Sequence, residues 1–455
     1  MTSLGLGVAV ALWVVWFALH APGLSPGPGF VGPVTVGAWM VLAAAGARYW
    51  RAGPAEGALA GLLTALISLL ALGSVLVVQP DPGAYAEGQA PLRPAAPLFG
   101  LGFLAAGAVI GGLGGLAGGR RGAVGPVSSS APELNPWLGR IGAVVALSYV
   151  PLVLLGGMVT STESGLAVRG WPDTFGANMF LYPISLMSQP RIFLEHSHRL
   201  FGTLAGMATI ILWISALANP VSRRRFGAWT TLLLLAVVVQ GVIGGQRVLL
   251  QNPYLGALHG AFGQVVLAFA AVLALWMSPA YAAVPRLEPG KIGLMRAVTS
   301  AALAVSLVQL LLGALFRHLR RGDNPGSMHV AWTHAGFALV VMTLAIIAGS
   351  MLIRFGKDRR DSLPRGLSSR LRAHGASVHG AVGIQFVLGW ITLLAVMTGD
   401  SRGAVPTAEQ LSDATPVPLV EAILATAHQA NGALYLVLLS LAWAWTGRLR
   451  RAGRG

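Results

Sequence analysis

Four histidines are the residues of this chain best suited, by type and spacing, to bind a transition metal. His198, His259, His334 and His428 each lie near the start of an apolar segment, and each is followed four residues later by Gly or Ala. Positions four apart lie one turn apart on the same face of a helix, so the small residue is expected to leave a flat slot beside the imidazole. Neutral imidazole is a common ligand of haem iron, and four such side chains predict two bis-histidine haem sites.

A carboxylate accompanies the first of these histidines. Glu195 precedes His198 by three residues, so the two share a face if a helix begins at Glu195. A carboxylate in that position can serve as proton donor, proton acceptor or electrostatic partner of whatever His198 binds. For one histidine alone, a polar residue at a helix end is the simpler interpretation. Four histidines with the same spacing favour metal sites.

The elements that carry these residues are membrane helices. The chain is 55% hydrophobic and 10% charged, and a helix of about 20 apolar residues is needed to cross a bilayer. We therefore predict an all-α integral membrane protein with about 12 transmembrane helices. The expected spans lie near 4–20, 34–48, 57–78, 98–118, 139–160, 198–218, 226–247, 256–278, 293–316, 329–353, 378–398 and 425–446.

The net charge of +16 follows the predicted topology. With the N-terminus inside, the inner loops and the C-terminal tail hold most of the 31 basic residues and a third of the 15 acidic residues. This asymmetry fits the positive-inside rule for a cell-membrane protein with both termini cytoplasmic. The basic excess therefore indicates topology and excludes a nucleic-acid partner. All four histidines lie in the first turn or two of helices that run inward, and they are expected at one depth near the outer face.

The chain divides into four predicted segments. Residues 1–118 form a four-span N-terminal extension, and residues 119–135 form a Gly/Ser/Pro-rich linker. Two pseudo-symmetric four-helix bundles follow, over 136–280 and 281–455, with one histidine pair in each. The repeat is marked by Gln-x-x-x-Gly on the helix before each of the last three histidines, where small residues allow close helix packing and a buried amide can bond across. The three motifs begin at Gln240, Gln309 and Gln385.

Cysteine and arginine usage narrow the chemistry further. The chain contains no cysteine, which excludes disulfides, thiolate metal sites and covalent haem attachment. Guanidinium groups pair well with carboxylates. Arg199, Arg317 and Arg320 are therefore candidate contacts for haem propionates. The segment 160–173, with its Trp, Pro and Gly residues, is expected to be an ordered interfacial loop above the first site.

These motifs together resemble haem A synthases. The resemblance rests on Ser-Gly-Leu-Ala-Val-x-x-Trp-Pro at 164–172, on Glu195-x-x-His198-Arg199, and on the single histidines at 259, 334 and 428. It covers roughly 136–446, and it implies two related four-helix bundles. The family oxidises the methyl at ring carbon 8 of haem O to a formyl group by successive hydroxylations, in an oxygenase-type reaction that yields haem A.

The resemblance also implies a role for each site residue. His198 and His259 would ligate the substrate haem O, His334 and His428 would ligate a resident haem B cofactor, and Glu195 would be the catalytic carboxylate. Haem O synthase, an electron donor such as a quinol and a second copy of the chain are the expected partners, besides the lipid bilayer. The N-terminal extension has no counterpart in the minimal family and is expected to dock a partner or to stabilise the bundle. With Asp81 as its one aspartate, it lacks the aspartate motifs of a fused haem O synthase.

Two other functions remain open at the level of the sequence. A di-haem b-type electron-transfer protein would also use two bis-histidine sites, because such an iron has no free coordination position. It has no need for a carboxylate one turn from a ligand, so Glu195 favours the enzyme. A transporter would place its intramembrane polar residues near mid-membrane, whereas these histidines are expected near one face.

Overall fold

The structure is a computed structural model that describes residues 1–24, 27–81, 88–118, 136–288, 290–319, 326–364, 366–398 and 415–450. Within these ranges the chain is α-helical, and twelve helices are long and apolar enough to cross a membrane, as predicted. The helices are α1 (Thr2–His20), α2 (Pro28–Trp50), α3 (Pro54–Ala71), α4 (Ala96–Gly118), α5 (Pro136–Ser161), α6 (Pro190–Leu217), α7 (Pro220–Leu249), α8 (Pro253–Trp276), the short α9 (Pro279–Ala282), α10 (Gly290–Leu319), α11 (Gly326–Asp358), α12 (Leu367–Thr398) and α13 (Leu419–Leu449). The predicted linker 119–135 lies outside the described residues.

The helices that carry the four histidines begin earlier than predicted. His198, His259, His334 and His428 are the ninth, seventh, ninth and tenth residues of their helices, and so lie beyond the first two turns in three cases. Proline begins both α6 and α8, where its fixed φ favours the first helical position. Asn252 caps α8 by accepting from the backbone N–H groups of Tyr254 and Leu255. Apolarity marks only the part of a helix inside the bilayer, and these helices start before it.

Two compact units make up the fold, and neither is one continuous segment. The first unit comprises 1–132, 147–155 and 164–214, and the second comprises 133–146, 156–163 and 215–455. The extension thus clusters with the loop 164–189 and with most of α6. The predicted division at 136 and 281 stays a prediction.

Glycine packing holds the extension together in the first unit. Helix α3 packs on α4, and α2 and α1 pack alongside them. A Cβ added at Gly111 would lie 2.8 Å from the Cα of Gly61, so the two backbones are in contact. Thr64 donates to the carbonyl of Gly5 at 2.9 Å across α1 and α3. Small residues and hydroxyl groups at helix contacts are typical of packing within a membrane.

In the second unit the last four long helices form a closed four-helix group. Helix α10 packs on α11 and α13, and α12 lies between α11 and α13, while α8 contacts α7, α10 and α13. The core of the group contains Ala302, Val341, Val378 and Leu439, one residue from each of its helices. This arrangement places the helices of His334 and His428 in one bundle.

Candidate functional site

Glu195 is buried in the first unit and is held by two donors. Its side chain is 3% exposed. The backbone N–H of Val168 donates to Oε2 at 2.8 Å, and Nη2 of Arg199 donates to Oε1 at 3.0 Å. Both bonds hold the carboxylate at a fixed position one turn from His198. The sequence placed Glu195 and His198 on one face, and α6 is continuous through both residues.

Arg199 fixes the loop that covers this carboxylate. Its Nη1 donates to the carbonyls of Gly170 and Asp173, at 2.8 and 3.0 Å. Its Nη2 donates to the carbonyl of Val168 at 2.9 Å as well as to Glu195. All four hydrogens of the two terminal nitrogens thus have acceptors within the protein. A propionate would therefore have to displace one of these bonds or use Nε, so the role predicted for Arg199 stays a prediction with that condition.

The loop 164–189 contains most of the segment 160–173 that the sequence predicted to be an ordered interfacial loop, whereas residues 160 and 161 belong to α5. The loop contains two short 3₁₀ helices, Met179–Leu181 and Ile184–Ser188. Thr174, in the same loop, is fully buried, and its hydroxyl lies 3.3 Å from Nδ1 of His196. His196 therefore packs into the loop, whereas Glu195 and Arg199 bond to its backbone.

In the second unit, a reciprocal pair of hydrogen bonds joins α7 to α8. Nδ1 of His259 lies 3.2 Å from the backbone carbonyl of Gln240 and 3.1 Å from Nε2 of Gln240, and this Nε2 donates to the backbone carbonyl of His259 at 2.9 Å. The ring lies directly against Gly244, where an added Cβ would be 2.6 Å from Cε1 of His259. We call this arrangement, of Gln, the Gly four residues later and the partner His, a clasp.

The same clasp joins α10 to α11. Nδ1 of His334 donates to the carbonyl of Gln309 at 3.2 Å, and Nε2 of Gln309 donates to the carbonyl of His334 at 2.9 Å. An added Cβ at Gly313 would lie 2.8 Å from Cε1 of His334. The Gln-x-x-x-Gly repeat therefore does what the sequence predicted, since the glycine admits the ring and the amide bonds across the helices.

The clasp of His334 also fixes the tautomer of the histidine. A backbone carbonyl only accepts hydrogen bonds, so Nδ1 of His334 must carry the proton. The Nε2 lone pair is then available to a metal, and the bond at Nδ1 orients the ring. This is the state that an axial ligand of haem iron requires.

The small residue four positions after the histidine has a different role from the one predicted. Gly263 and Gly432 face the carboxamides of Gln240 and Gln385, whose Nε2 atoms would lie 2.9 and 3.1 Å from an added Cβ. The predicted slot for a macrocycle is thus wrong at these two positions. The same spacing would serve a haem macrocycle or a glutamine side chain, because either group needs a small residue at this position to approach the helix.

The clasp of His428 contains one more residue, Asn431. The carboxamide nitrogen of Gln385 lies 3.2 and 3.3 Å from the two ring nitrogens of His428, and the ring also bonds to the backbone of Gln385. Nδ2 of Asn431 donates to Oε1 of Gln385 at 2.8 Å and to the carbonyl of Ala381 at 2.9 Å. Within the described residues, Oε1 of Gln240 and of Gln309 has no such donor.

Asn431 is not among the residues predicted from the sequence, although the sequence contains a signal for it. The residue three positions after each of the first three histidines is Phe, namely Phe201, Phe262 and Phe337, and after His428 it is Asn431. A polar residue where the three equivalent positions have Phe indicates that this face of the helix contacts a polar group on its neighbour.

The structure brings His334 and His428 together within the second unit. Their ring centroids are 6.3 Å apart and their planes cross at 83°. A metal–imidazole bond is about 2 Å long and the nitrogen lies about 1 Å from its ring centre, so two axial imidazoles on one metal have centroids roughly 6 Å apart. The observed separation therefore fits a single iron ligated by both rings. No cluster of three or more His, Asp and Glu residues suited to a bare metal ion occurs among the described residues.

The other predicted site residues are not brought together by described contacts. His198 belongs to the first unit and His259 to the second, so their pairing stays a prediction. Arg317 donates through Nη2 to the carbonyl of Thr160. Arg320 lies outside the described residues. The expected propionate contacts of both arginines stay predictions.

Comparison with known proteins places a family match across this region. Residues 139–324 match the family described as cytochrome oxidase assembly protein. The match includes Glu195, His198 and His259, and it ends before His334.

Several curated relatives carry the name haem A synthase. The chain is 31% identical over 146 residues to the one from Shouchella clausii (strain KSM-K16), which covers 31% of this chain and 46% of the relative. It is 38% identical over 128 residues to that of Geobacillus kaustophilus (strain HTA426), covering 27% and 38%. It is 26% identical over 324 residues to that of Bradyrhizobium sp. (strain ORS 278), covering 60% and 86%. The chain thus matches less than half the length of the first two relatives, and most of the third.

Proposed function

We propose that this chain oxidises haem O to haem A, because its residues 139–324 match the family described as cytochrome oxidase assembly protein. The relatives it resembles are named haem A synthase. The conversion takes a ring methyl through an alcohol to a formyl group. The observation that carries the proposal is the buried carboxylate of Glu195, which accepts two hydrogen bonds and lies one turn from His198 on the same helix.

Glu195 has the properties of a proton-transfer group at a substrate site. With O2 as the proposed oxidant, each hydroxylation of the methyl carbon takes up two electrons from the donor and two protons and releases one water, and the doubly hydroxylated carbon loses a further water to give the formyl group. A positioned carboxylate accelerates such proton transfers. Arg199 and the N–H of Val168 fix both oxygens of Glu195. In this proposal His198 and His259 ligate the substrate haem O, and the loop 164–189 excludes water from it.

A resident haem B fits the second unit. His334 and His428 would hold it, since their separation suits one iron and the Gln309 carbonyl leaves Nε2 of His334 available. Such a group supplies one-electron redox chemistry when bound. Gln385 and Asn431 fix the orientation of the His428 ring.

The proposal includes a membrane orientation. The ends of α1 and α3 and the start of α6 meet the loop 164–189, so they lie on one side of the membrane. Because basic residues are concentrated in the loops on the opposite side, this side is the outer one, and both termini lie on the cytoplasmic side of the cell membrane. Haem O synthase and a quinol or other electron donor are the proposed partners.

The test is to identify the haems bound to the purified chain after co-expression with a source of haem O. Extracted haems are separated by chromatography and identified by mass, for the wild type, for Glu195→Gln and for Asp361→Asn. Asp361 is exposed and lies far along the chain from both sites, so its variant is the matched control. We expect haem B together with haem A or the alcohol in the wild type and the control. We expect Glu195→Gln to retain haem O and haem B but to lose conversion by roughly 10²–10⁴-fold.

Two results would contradict the proposal. Haem B alone, at two per chain, would identify a di-haem electron-transfer protein. Absence of haem would remove both haem functions and favour a transporter. Full conversion by Glu195→Gln would leave the reaction in place and remove its catalytic carboxylate.

A further inference from the structure

The N-terminal extension contacts the helix that carries Glu195 and His198. Near the end of α1, the ring of Phe17 stacks on Phe193 with centroids 5.0 Å apart, and Trp16 stacks on Phe193 at 6.4 Å. Trp13 meets Phe201 edge to face at 5.7 Å. Phe193 and Phe201 are both almost fully buried. Aromatic contacts therefore hold α6 on both sides of the segment 195–199.

The extension also bonds to the loop 164–189. Oε1 of Gln79 accepts from the backbone N–H of Ser185 at 3.2 Å, and Oε1 of Gln89 accepts from the N–H of Asn178 at 2.9 Å. The N–H of Gly88 donates to the carbonyl of Phe175 at 2.9 Å. These bonds come from the chain between α3 and α4, which lies outside the residues that match the family model.

Gln79 is itself held in place. Its Nε2 donates to the carbonyls of Ser74 and Val77, at 2.7 and 3.2 Å. Beside it, the backbone of Gly73 contacts the loop, and a Cβ there would lie 2.9 Å from Leu181. The side-chain oxygen of Gln79 is thus a fixed hydrogen-bond acceptor for the loop, and the backbone next to it packs directly on the loop.

The other side of the same loop holds Glu195. The carbonyls of Val168, Gly170 and Asp173 receive Arg199, and the N–H of Val168 binds Glu195. The loop is therefore fixed at two edges, by Arg199 near its start and by the extension from Phe175 to Ser185. Release of one edge would allow the backbone at Val168 to move, and with it the carboxylate.

We propose that the N-terminal extension is a positioning element for Glu195, acting through the loop 164–189. This inference rests on the proposed function, because it assigns a role in that reaction. Gln79, Gln89 and Phe17 are positioning residues, since each acts on Glu195 through the loop or through α6. The extension is then part of the substrate site, in contrast to an appendage that only docks a partner.

The test uses the full-length protein and the double variant Gln79→Ala/Gln89→Ala, with Gln251→Ala as matched control. Gln251 is an exposed glutamine between α7 and α8. The first measurement is the rate of tryptic cleavage after Arg169, an exposed residue of the loop, followed by mass analysis of the fragments. The second is the rate of haem O conversion, and the third is the content of haem B as a report on folding.

We expect faster cleavage after Arg169 and a roughly 10–100-fold lower kcat in the double variant, with haem B content unchanged, because a displacement near 1 Å lowers rates by such factors. In a second pair, Phe17→Ala should lower kcat and Phe17→Leu should restore most of it, since leucine retains apolar volume against Phe193. Phe30→Ala, at an exposed residue of α2, is the control for this pair.

Unchanged cleavage in the double variant would overturn the inference, and so would faster cleavage with an unchanged kcat. Failure of the wild type to convert haem O would overturn the proposed function and the role in catalysis together. The cleavage comparison would still decide, in that event, whether the extension holds the loop.

Discussion

The carboxylate of the first unit and the imidazoles of the second are held in place by different kinds of structure. Glu195 is fixed by a loop, through Val168, and by Arg199, which itself bonds to that loop. His259 and His334 are fixed by backbone carbonyls of neighbouring helices. Packed helices open only at a high free energy, whereas loops open at a low one. The difference fits the proposal that a cofactor stays bound in the second unit and that a substrate enters and leaves beside Glu195.

A smaller difference separates the clasps themselves. In two of them the oxygen of the glutamine side chain has no donor among the described residues, whereas in the third Asn431 supplies one. Of the three glutamine side chains, the one that contacts His428 is therefore the most completely hydrogen-bonded. Three kinds of substitution test this comparison: replacement of a histidine ligand, of the glycine against which the ring packs, and of the asparagine that bonds to the glutamine.

Removal of a ligand should have the largest effect. His334→Ala and His428→Ala should each lose the haem of the second unit, because one imidazole then has no counterpart across the iron. His259→Ala should keep that haem, since its clasp lies on α7 and α8 and is not part of the pair. Haem content per chain, measured by absorbance after alkaline pyridine extraction, distinguishes these outcomes. Full haem content in both of the first two variants would refute the pair.

An added methyl group in a clasp should have an intermediate effect. In Gly313→Ala the new Cβ would lie 2.8 Å from Cε1 of His334, so the ring must move away from its carbonyl partner. We expect haem affinity to fall by roughly 10–100-fold, the usual range for the loss of a group that orients a ligand. Gly336→Ala on α11 is the control, because nothing lies within 4 Å of its added Cβ. Titration of the apoprotein with haem B gives both affinities, and equal values would show that the glycine does not position the ring.

Loss of the asparagine should have the smallest effect. Asn431→Ala removes two partly buried hydrogen bonds, to Gln385 and to the carbonyl of Ala381. The bond to Gln385 is the one that reaches the clasp, and its loss is worth about 1 kcal/mol or roughly a fivefold change in haem affinity. Ser377→Ala is the control, since its hydroxyl bonds only within α12, to the carbonyl of Ala373. The same titration measures the change, together with the midpoint potential of the bound haem. A loss as large as that of Gly313→Ala would mean that Asn431 holds the whole clasp and not only its amide.

The general architecture could be predicted from the sequence because it depends on local properties. Apolar length fixes the number of membrane helices, and all twelve were found. The Gln-x-x-x-Gly repeat predicted close helix contacts bridged by an amide, and the clasps of His259 and His334 confirm it. The positions of the helix starts could not be found in this way, because the turns outside the bilayer are not marked by apolarity.

Sequence spacing could not reveal what lies opposite a residue. Gly263 and Gly432 were assigned to a haem slot, and they face glutamine side chains. The terminal nitrogens of Arg199 bond to loop carbonyls, which the sequence did not indicate, and its contact with a propionate stays a prediction. In each case the observed partner comes from another helix or from a loop distant in sequence.

The sequence by itself thus determined the class of the protein, the number of spans, the histidines and the carboxylate, because composition and helical periodicity are properties of one segment at a time. Only the tertiary structure decided that His334 and His428 meet at a distance suited to one iron, that a backbone carbonyl sets the tautomer of His334, and that the N-terminal extension bonds to the loop that holds Glu195. These outcomes depend on which helices pack together and on how far each helix is shifted along the axis of its neighbour. Long-range packing sets this shift, and no local pattern in the chain encodes it.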